Sequence, residues 1–560
     1  MTRCLRFLLV LCALLLGNRT VQASHALSGQ LTYDYAGTST QRNRYRVHCA
    51  ILTECGGSLP TSLSVSCRVG TPSTTCASND PRNFSATLVR GPIMAGTPYC
   101  ASLGNACGTG GRFNYEWATY EAYVELPPAA SWTLSVSENA RPTLANVTGT
   151  SQDLYLEATL NNQIALASGI LLTITNTSPQ YLNQDVPVTL ACLQQRSGLS
   201  FATFEPDGDS LVYSLERPLE GCNQPMTYKP FSSGMMGAIS TNPPCVATLP
   251  AGASTSYSAT FPLPSFMLTG SCPVRVAQPS FAFDTRTGNV SLTPYSYDAT
   301  SPANNRYLVA GKVTEYRRIN SRYYLVGSMR RDLLVVVQDC GSNQTPNTPG
   351  TTAGTPGPAT DSLVLDSPVQ VHTAVDYHFS DPNPGDLLTV TLVHQWNIYG
   401  DLYDLPSPFF MPLTVVGNGT ATPVLQVRLH PSTVLLGRTV RVPVWVADNA
   451  CPFKINRLFT LVIRVGAATP TATRPAQARA VLPAYPNPFS EQVTFTVPRP
   501  RGASLVLVRD PLGRVVAQLP VPAGAGAEAT LTWVPGPGLP AGLYTARAAD
   551  GGPAVRLLRR

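Results

Sequence analysis

Two acidic loops contain the side chains best suited to bind an ion. Asp207 and Asp209 belong to the segment EPDGD, and Asp381 and Asp386 belong to DPNPGD; each segment precedes a run with strand character. A third acidic position, Asp448, follows another predicted strand. Carboxylates on loops bent by glycine suit Ca²⁺, which takes about six to eight oxygen ligands. The sequence therefore makes calcium the one candidate cofactor. The alternative is that these loops are ordinary turns in which aspartate caps the backbone.

No residue pattern indicates a catalytic site. The six histidines carry no nucleophile–base signature, the chain has no Gly-x-Ser-x-Gly segment, and no glycine-rich phosphate loop precedes a helix. Paired carboxylates for glycoside hydrolysis stay open, because a sequence does not show which acidic residues face each other. We therefore expect a non-enzymatic protein, with an exported polysaccharide-binding or polysaccharide-degrading protein as the alternative.

Several aromatic residues could form a face for a sugar or a protein partner. They are Tyr115, Trp117, Tyr120, Tyr123, Trp396, Tyr399 and Tyr403. Tyrosine and tryptophan that alternate along a strand are more typical of a sandwich core. The stretch 396–403 is the better surface candidate, because Gly400 and Asp401 interrupt it in the manner of a loop tip.

The first 23 residues have the pattern of a secretory signal. Arg3 and Arg6 precede an apolar run over residues 7–16, and the triplet Val-Gln-Ala at 21–23 provides a small-residue cleavage site. The run is too short to span a membrane, and no later segment is long and apolar enough to do so. We therefore expect a mature chain that is secreted or held at the cell surface and has no transmembrane segment.

Cysteine usage agrees with export. Setting aside Cys4 and Cys12 in the signal leaves 12 of the 14 cysteines. An even number in an exported chain favours disulfides over metal or redox sites, because no Cys-x-x-Cys pair is present. Proximity favours local pairs such as Cys67 with Cys76 or Cys100 with Cys107. The disulfide candidates are Cys49, Cys55, Cys67, Cys76, Cys100, Cys107, Cys192, Cys222, Cys245, Cys272, Cys340 and Cys451.

Composition predicts an all-β chain. The sequence contains 51 Pro and 43 Gly, only 13% charged residues, and β-branched runs between turn residues. The net charge of +7 rests on scattered arginines, so we expect no nucleic-acid partner.

Two spacers divide the chain into several expected β-sandwich domains. Residues 345–360 and 467–480 are rich in Pro, Gly, Thr or Ala and lack apolar periodicity. The expected domains are a Cys-rich β domain at 24–178 and two immunoglobulin/cadherin-like sandwiches at 179–344 and 361–466, followed by a small sandwich at 481–560. In the second sandwich we expect strands at 387–392, 424–429, 440–446 and 458–465. The run at 333–337 predicts a strand buried on both faces or at a domain seam.

The last eighty residues resemble the type A C-terminal sorting domain of the type IX secretion system of Bacteroidetes. The likeness rests on the opening YPNPF, the hairpin DPLGRV, the turn LPAGLY and the basic C-terminus, in which Arg556 replaces the family's lysine. It implies that the secretion machinery is a partner and that the domain is removed on export. The matching residues are Tyr485, Pro486, Asn487, Pro488, Phe489, Asp510, Gly513, Gly542, Tyr544 and Arg556.

Residues 24–465 resemble surface proteins associated with gliding motility in the same bacteria. The likeness rests on segments that include SHALSGQLTY, YEAYVELPP, LYLEATLNN and EPDGDSLVYSL. The family's Cys-Cys pair is replaced by Asn139-Ala140, so no disulfide map is carried over. The resemblance implies a surface adhesion or structural protein, linked to gliding or biofilm. Its expected partners are lipopolysaccharide, glycans or other surface proteins.

Overall fold

A computed structural model describes most of the chain after residue 25. The described residues are 26–97, 99–104, 113–181, 187–232, 235–358, 360–392, 402, 412–467, 484–498, 505–522, 528–549 and 554–560. The predicted signal at 1–23 and all but the first residue of the predicted spacer at 467–480 lie outside them. The chain divides into two compact units, residues 1–468 and residues 469–560.

The described structure is almost entirely strand, which confirms the all-β prediction. Its helical segments are one α-helical turn, α1 (Pro72–Thr75), and 3₁₀ turns at Ala101–Leu103, Pro302–Asn305 and Thr433–Leu435. Up to residue 338 the strands are β1 (Ala26–Tyr35), β2 (Arg44–Glu54), β3 (Ser62–Val69), β4 (Phe84–Arg90), β5 (Met94–Gly96), β6 (Tyr115–Glu125), β7 (Trp132–Glu138), β8 (Val147–Thr148), β9 (Leu154–Leu160), β10 (Gln163–Ala165), β11 (Leu171–Thr173), β12 (Val188–Cys192), β13 (Ser197–Ser200), β14 (Ser210–Glu216), β15 (Leu219–Gly221), β16 (Gln224–Pro225), β17 (Thr227–Tyr228), β18 (Ala238–Thr241), β19 (Pro244–Thr248), β20 (Phe266–Thr269), β21 (Val274–Pro279), β22 (Ala282–Phe283), β23 (Asn289–Leu292), β24 (Arg306–Ile319) and β25 (Arg322–Gln338).

Strand β25 organises the first unit. One of its edges pairs with β24, and the other pairs in succession with β9, β1 and β12. These pairings join a 12-stranded sheet in the order β1-β2-β6-β4-β3-β7-β9-β25-β24-β14, with β5 and β12 attached at the side. Leu333, Val335 and Val337 face one apolar core, while Leu334 and Val336 face another. The prediction of a strand buried on both faces at 333–337 is therefore confirmed.

The predicted boundary between residues 178 and 179 is wrong. Gly29 and Gln30 of β1 pair with Asp332 and Arg331 of β25, on either side of that boundary. A single core also contains side chains from both segments, among them Tyr33 and Val335. The segments form one body because the return strand β25 completes the sheet that β1 begins, a pairing that local sequence patterns do not encode.

The strands between residues 362 and 464 form a two-sheet sandwich with its own core, within the range 361–466 expected for the second sandwich. One sheet has the order β26-β32-β31-β28 and the other β27-β30-β29. Between the sheets, Phe379 and Phe459 meet edge to face with ring centroids 6.4 Å apart. The strands are β26 (Ser362–Asp366), β27 (Thr373–His378), β28 (Thr389–Leu392), β29 (Leu413–Val416), β30 (Val424–Leu429), β31 (Thr439–Ala447) and β32 (Asn456–Arg464).

The segment at 345–360 is packed against the sandwich and is not the free spacer that its composition predicts. Arg457 donates from Nη1 to the Pro346 carbonyl at 2.7 Å and from Nη2 to Thr348 Oγ1 at 2.9 Å. Gly350 and His378 exchange backbone hydrogen bonds. The segment needs no apolar periodicity, because its backbone groups are satisfied by the strands beside it.

Four disulfides are present among the described cysteines. None of them is a pair that was expected from proximity in the sequence. They join Cys76 to Cys222, Cys100 to Cys451, Cys192 to Cys340, and Cys245 to Cys272. The pair Cys67–Cys76 is wrong, since Cys67 is a buried free thiol, and so is Cys100–Cys107. Cys49 is also free and buried. Cys55 is disulfide-bonded, while Cys107 lies outside the described residues.

The second unit is a small sandwich of two sheets. Their orders are β33-β34-β37 and β36-β35-β38-β39, and their inner faces share one core that includes Phe489, Trp533 and Tyr544. The segment DPLGRV forms the hairpin that the resemblance implies, with a turn at 510–513 in which the Gly513 amide donates to the Asp510 carbonyl at 2.9 Å. The strands are β33 (Ala484–Tyr485), β34 (Val493–Pro498), β35 (Leu505–Arg509), β36 (Val515–Pro520), β37 (Glu528–Trp533), β38 (Gly542–Ala548) and β39 (Val555–Arg559).

Candidate functional site

The two predicted acidic loops become two separate carboxylate clusters. In the first, one carboxylate oxygen from each of Glu205, Asp207 and Asp209 lies within 4.8 Å of the others. In the second, the same holds for Asp381, Asp386 and Asp448. The five aspartates proposed as ligands all lie in these clusters, and the first cluster also contains Glu205, which was not proposed.

The first cluster already contains a cation, the guanidinium of Arg317 on β24. Its Nη2 lies 2.9 Å from Asp207 Oδ2 and 2.7 Å from Asp209 Oδ2, and its Nε donates to Asp209 Oδ1 at 2.9 Å. The same guanidinium donates to the Thr175 carbonyl and to Asn176 Oδ1. Burial disfavours its charge, but the two aspartates outweigh burial and raise the pKa of Arg317. The arginine therefore occupies the place that a metal ion was expected to take.

Two buried glutamates lie behind this ion pair. Burial, with the charges of Asp209 and Asp207, raises the pKa of Glu205 to about 8. Burial also raises the pKa of Glu315 well above its usual range, although Asn176 Nδ2 donates to its Oε2 at 2.7 Å. Each has one carboxyl oxygen without a hydrogen-bond partner among the described residues. The neutral form of both carboxyls is therefore favoured by their surroundings, and with a pKa of about 8 Glu205 is largely protonated near pH 7.

The second cluster lies in the sandwich and has a different charge balance. No arginine or lysine in the described residues forms an ion pair with Asp381, Asp386 or Asp448. Two of the carboxylate oxygens, Asp381 Oδ2 and Asp386 Oδ2, are buried and lack a hydrogen-bond partner in the described structure. Burial raises the pKa of Asp381 to about 6, and repulsion from Asp448 and Asp386 adds to that rise. Clustered hard oxygens without a compensating charge are the donor set that Ca²⁺ prefers.

Asp448 orders the loops around this second cluster. Its Oδ1 accepts from the amides of Ala450 and Ile455, and its Oδ2 accepts from Asn343 Nδ2 at 3.0 Å. Asp386 and Asn343 also line an open cleft of about 510 Å³, together with Cys340 and Cys451. A cation held by these carboxylates would therefore lie beside an open cleft.

The structure also places residues for which no site was predicted. His48 contacts two acids, with Nε2 2.8 Å from Asp34 and Nδ1 3.0 Å from Glu121. His48 and Glu121 are direct cross-strand partners on β2 and β6, a register that only the sheet reveals. His372 and His430 stack with ring centroids 4.5 Å apart. His25 and His394 lie outside the described residues.

The aromatic residues of β6 are divided between core and surface. Tyr115 and Tyr120 are buried, as expected for sandwich core, whereas Tyr123 is exposed and lies under the guanidinium of Arg44 at 4.0 Å. The preferred surface candidates Trp396, Tyr399 and Tyr403 lie outside the described residues.

The residues of the C-terminal motif converge on the last strand. Asn487 Oδ1 accepts from the Leu558 amide at 2.7 Å, and its Nδ2 donates to the Arg556 carbonyl at 2.8 Å. Phe489 exchanges backbone hydrogen bonds with this strand and packs on Trp533 with ring centroids 5.6 Å apart. Tyr544 donates to the Pro540 carbonyl at 2.6 Å. The side chain of Tyr485, in contrast, is 82% exposed.

Asp510, Gly513 and Gly542 serve the turns of this unit. Asp510 Oδ1 accepts from the amides of Leu512 and Arg514, and Gly513 has φ +82°. A positive φ of that size favours glycine, which explains the residue type. Gly542 begins β38, opposite Arg559.

Comparisons with known proteins add little beyond fold class. No family model matches the chain, and no curated protein matches it significantly. Among solved structures, the mouse protocadherin PcdhgC3 EC1-3 fragment is similar at 13% identity, covering 50% of this chain and 85% of its own, with a TM-score of 0.15. Four N-terminal Ig domains of Dscam1 are similar at 8% identity, covering 76% of this chain and 91% of their own, with a TM-score of 0.14. A likeness at this level carries no argument about function.

Among the described residues, no helix has the length and apolar character needed to cross a bilayer.

Proposed function

We propose that the chain is a non-catalytic adhesion or structural protein of the cell surface, exported through its C-terminal unit. The observation that carries this proposal is the division into a disulfide-linked β body and a separate small sandwich built from the motif residues. Disulfides that join distant segments are typical of proteins that work outside the cytoplasm. The hydrogen bonds between Asn487 and the last strand support a sorting signal that requires the folded C-terminal unit.

The proposed route is the signal segment to the periplasm and the type IX secretion system across the outer membrane. The test is to produce the full chain and a variant lacking residues 481–560 in a host that has this system, and to follow both by surface immunoblot. We expect the full chain at the surface and the truncated chain in the periplasm. Equal surface levels of the two would overturn the proposed route.

The adhesive role has its own test. A deletion strain should attach less to surfaces or to other cells, and complementation with the full chain should restore attachment. Normal attachment combined with loss of growth on a polysaccharide would favour the alternative, an exported polysaccharide-binding or polysaccharide-degrading protein.

Calcium binding is part of the same proposal, at Asp381, Asp386 and Asp448 only. The buried carboxylate oxygens without partners support it. At Asp207 and Asp209 the ion pairs with Arg317 speak against a metal ion, so we do not extend the proposal to them.

A further inference from the structure

The hairpin of β24 and β25 carries an exposed row of aromatic, aliphatic and basic side chains. Arg318 pairs directly with Tyr323, and Tyr316 pairs with Leu325. Directly paired residues of an antiparallel ladder point to the same side of the sheet, and alternate residues of one strand do so as well. Arg318, Tyr323, Tyr316 and Leu325 therefore share one side, which we call the hairpin face.

The hairpin face continues onto the neighbouring strand β14. Ser210 pairs with Tyr316, and Val212 pairs with Thr314, so Val212 belongs to the same side. The exposed fractions are 60% for Tyr323, 48% for Val212 and 43% for Leu325, and Arg318 is exposed too. Large apolar side chains that are adjacent and exposed mark interaction surfaces more often than isolated ones do.

The opposite side of the same strands holds the hairpin in place. Val313 and Glu315 are fully buried there. Arg317, also on that side, is anchored to Asp209 and Asp207 by the contacts described above. A surface supported in this way loses little conformational entropy when it binds a ligand, which favours affinity.

The charge of the hairpin face is positive. Within the described residues Arg318 forms no ion pair, and Asp207 and Asp209, in the loop before β14, are neutralised by Arg317. The other β24 residues of this side near the tip are Thr314 and Tyr316, which are uncharged. An anionic group that stacks on Tyr323 would therefore meet an available guanidinium directly across the ladder.

We infer that the hairpin face binds an anionic polysaccharide. The C–H face of a sugar ring packs on a tyrosine ring, and a guanidinium binds a carboxylate or sulfate through paired hydrogen bonds. Tyr316 and Tyr323 are diagonal neighbours, about 7–8 Å apart at the backbone, so adjacent sugar units can reach both rings. This inference names the ligand of the adhesive role and rests on the proposed function for its biological meaning.

Binding of the purified chain to soluble polymers tests the inference. The probes are alginate for carboxylates, dextran sulfate for sulfates and unmodified dextran as the neutral polymer, measured by affinity electrophoresis and calorimetry. We expect binding to at least one of the two anionic polymers and at least tenfold weaker binding to dextran. Tyr323→Ala and Arg318→Ser should each weaken binding about tenfold, with unchanged thermal melts showing that the fold is intact.

Tyr123→Ala is the matched control, because Tyr123 is an exposed strand tyrosine whose ring is covered by Arg44. It should leave the affinity within about twofold. Absence of binding to both anionic polymers, equal binding to dextran, or unchanged affinity in both hairpin variants would overturn the inference. Binding to anionic lipid vesicles in place of the polymers, or self-association lost in the variants, would overturn it as well. The deletion-strain test above does not use these polymers, so the adhesive role and the ligand can fail separately.

Discussion

Arg317 and Asp209 form a two-point ion pair, with Nε 2.9 Å from Oδ1 and Nη2 2.7 Å from Oδ2. The Asp209 side chain is 3% exposed, so this carboxylate depends on the arginine in place of water. The pair connects the loop at 205–209 to strand β24. The same guanidinium donates to Asn176 Oδ1, which connects the segment around residue 176 to this ion pair.

Replacing Arg317 should therefore be costly. Arg317→Gln leaves Asp207 and Asp209 without their cation, and we expect a loss of about 3 kcal/mol in the free energy of unfolding, measured by urea denaturation. The neighbouring Arg318→Gln, an exposed arginine, should change stability by less than about 0.5 kcal/mol. If 5 mM Ca²⁺ partly restores the stability of the Arg317→Gln variant, the arginine fills a cation position. Equal stability of the Arg317→Gln and Arg318→Gln variants would contradict this account.

The second cluster predicts a calcium-dependent melting temperature. Ca²⁺ at about a hundredfold excess over its Kd should stabilise the body by about 2.7 kcal/mol, and a chelator should remove that gain. Asp381→Asn and Asp386→Asn should abolish the response. Asp366→Asn, at an aspartate whose side chain is 77% exposed, should keep it. A melt that is identical with and without chelator would exclude calcium here.

The same cluster predicts weaker calcium binding in acid. The pKa of Asp381 is about 6, so protons compete with Ca²⁺ as the pH falls through that value. The apparent Kd from calorimetry should rise between pH 7 and pH 5. A Kd that stays constant over this range would place the ion elsewhere.

Glu205 predicts a stability that falls as the pH rises. Its folded pKa of about 8 lies above the value of an unfolded glutamate, so the unfolded chain releases this proton first. Its contribution is fully present below about pH 4.5 and is lost as the pH rises through about 8. Glu205→Gln should therefore be more stable than the natural chain at pH 8.5, by on the order of 1–3 kcal/mol, with little difference at pH 4.5. Denaturation by guanidinium chloride at the two pH values measures the free energy of unfolding. The control is Glu121→Gln, at a position whose side chain is about half exposed.

Two thiols should be detectable only after unfolding. Burial raises the pKa of Cys67 to about 12 and also raises that of Cys49, so we expect neither to form a reactive thiolate in the folded chain. A thiol reagent should label neither Cys49 nor Cys67 under native conditions and both in denaturant without reductant. Labelling of the folded chain at either position would contradict the burial.

The sequence was most informative where structure is local. The strand at 424–429, the turn at Asp510 and the grouping of Asp381 with Asp386 depend on neighbouring residues, and each was found. The pairing of Gly29 with Asp332, the Cys100–Cys451 disulfide and the contact of Arg317 with Asp209 were missed, because each joins segments more than 100 residues apart. The packing of Thr348 was missed for another reason, since a composition rich in Pro and Gly does not show whether a neighbouring arginine holds the backbone.

The position of β25 has a consequence for the order in which the chain folds. Strand β1 is synthesised early, but its partner residues Arg331 and Asp332 follow about three hundred positions later, and Cys451 follows Cys100 by 351. Until β25 arrives, one edge of β1 and the apolar residues behind it have no native partner, a state prone to pairing with other chains. The open edge of β1 therefore has to be kept from other chains until β25 is present, and the Cys100–Cys451 disulfide cannot form before residue 451 has been synthesised.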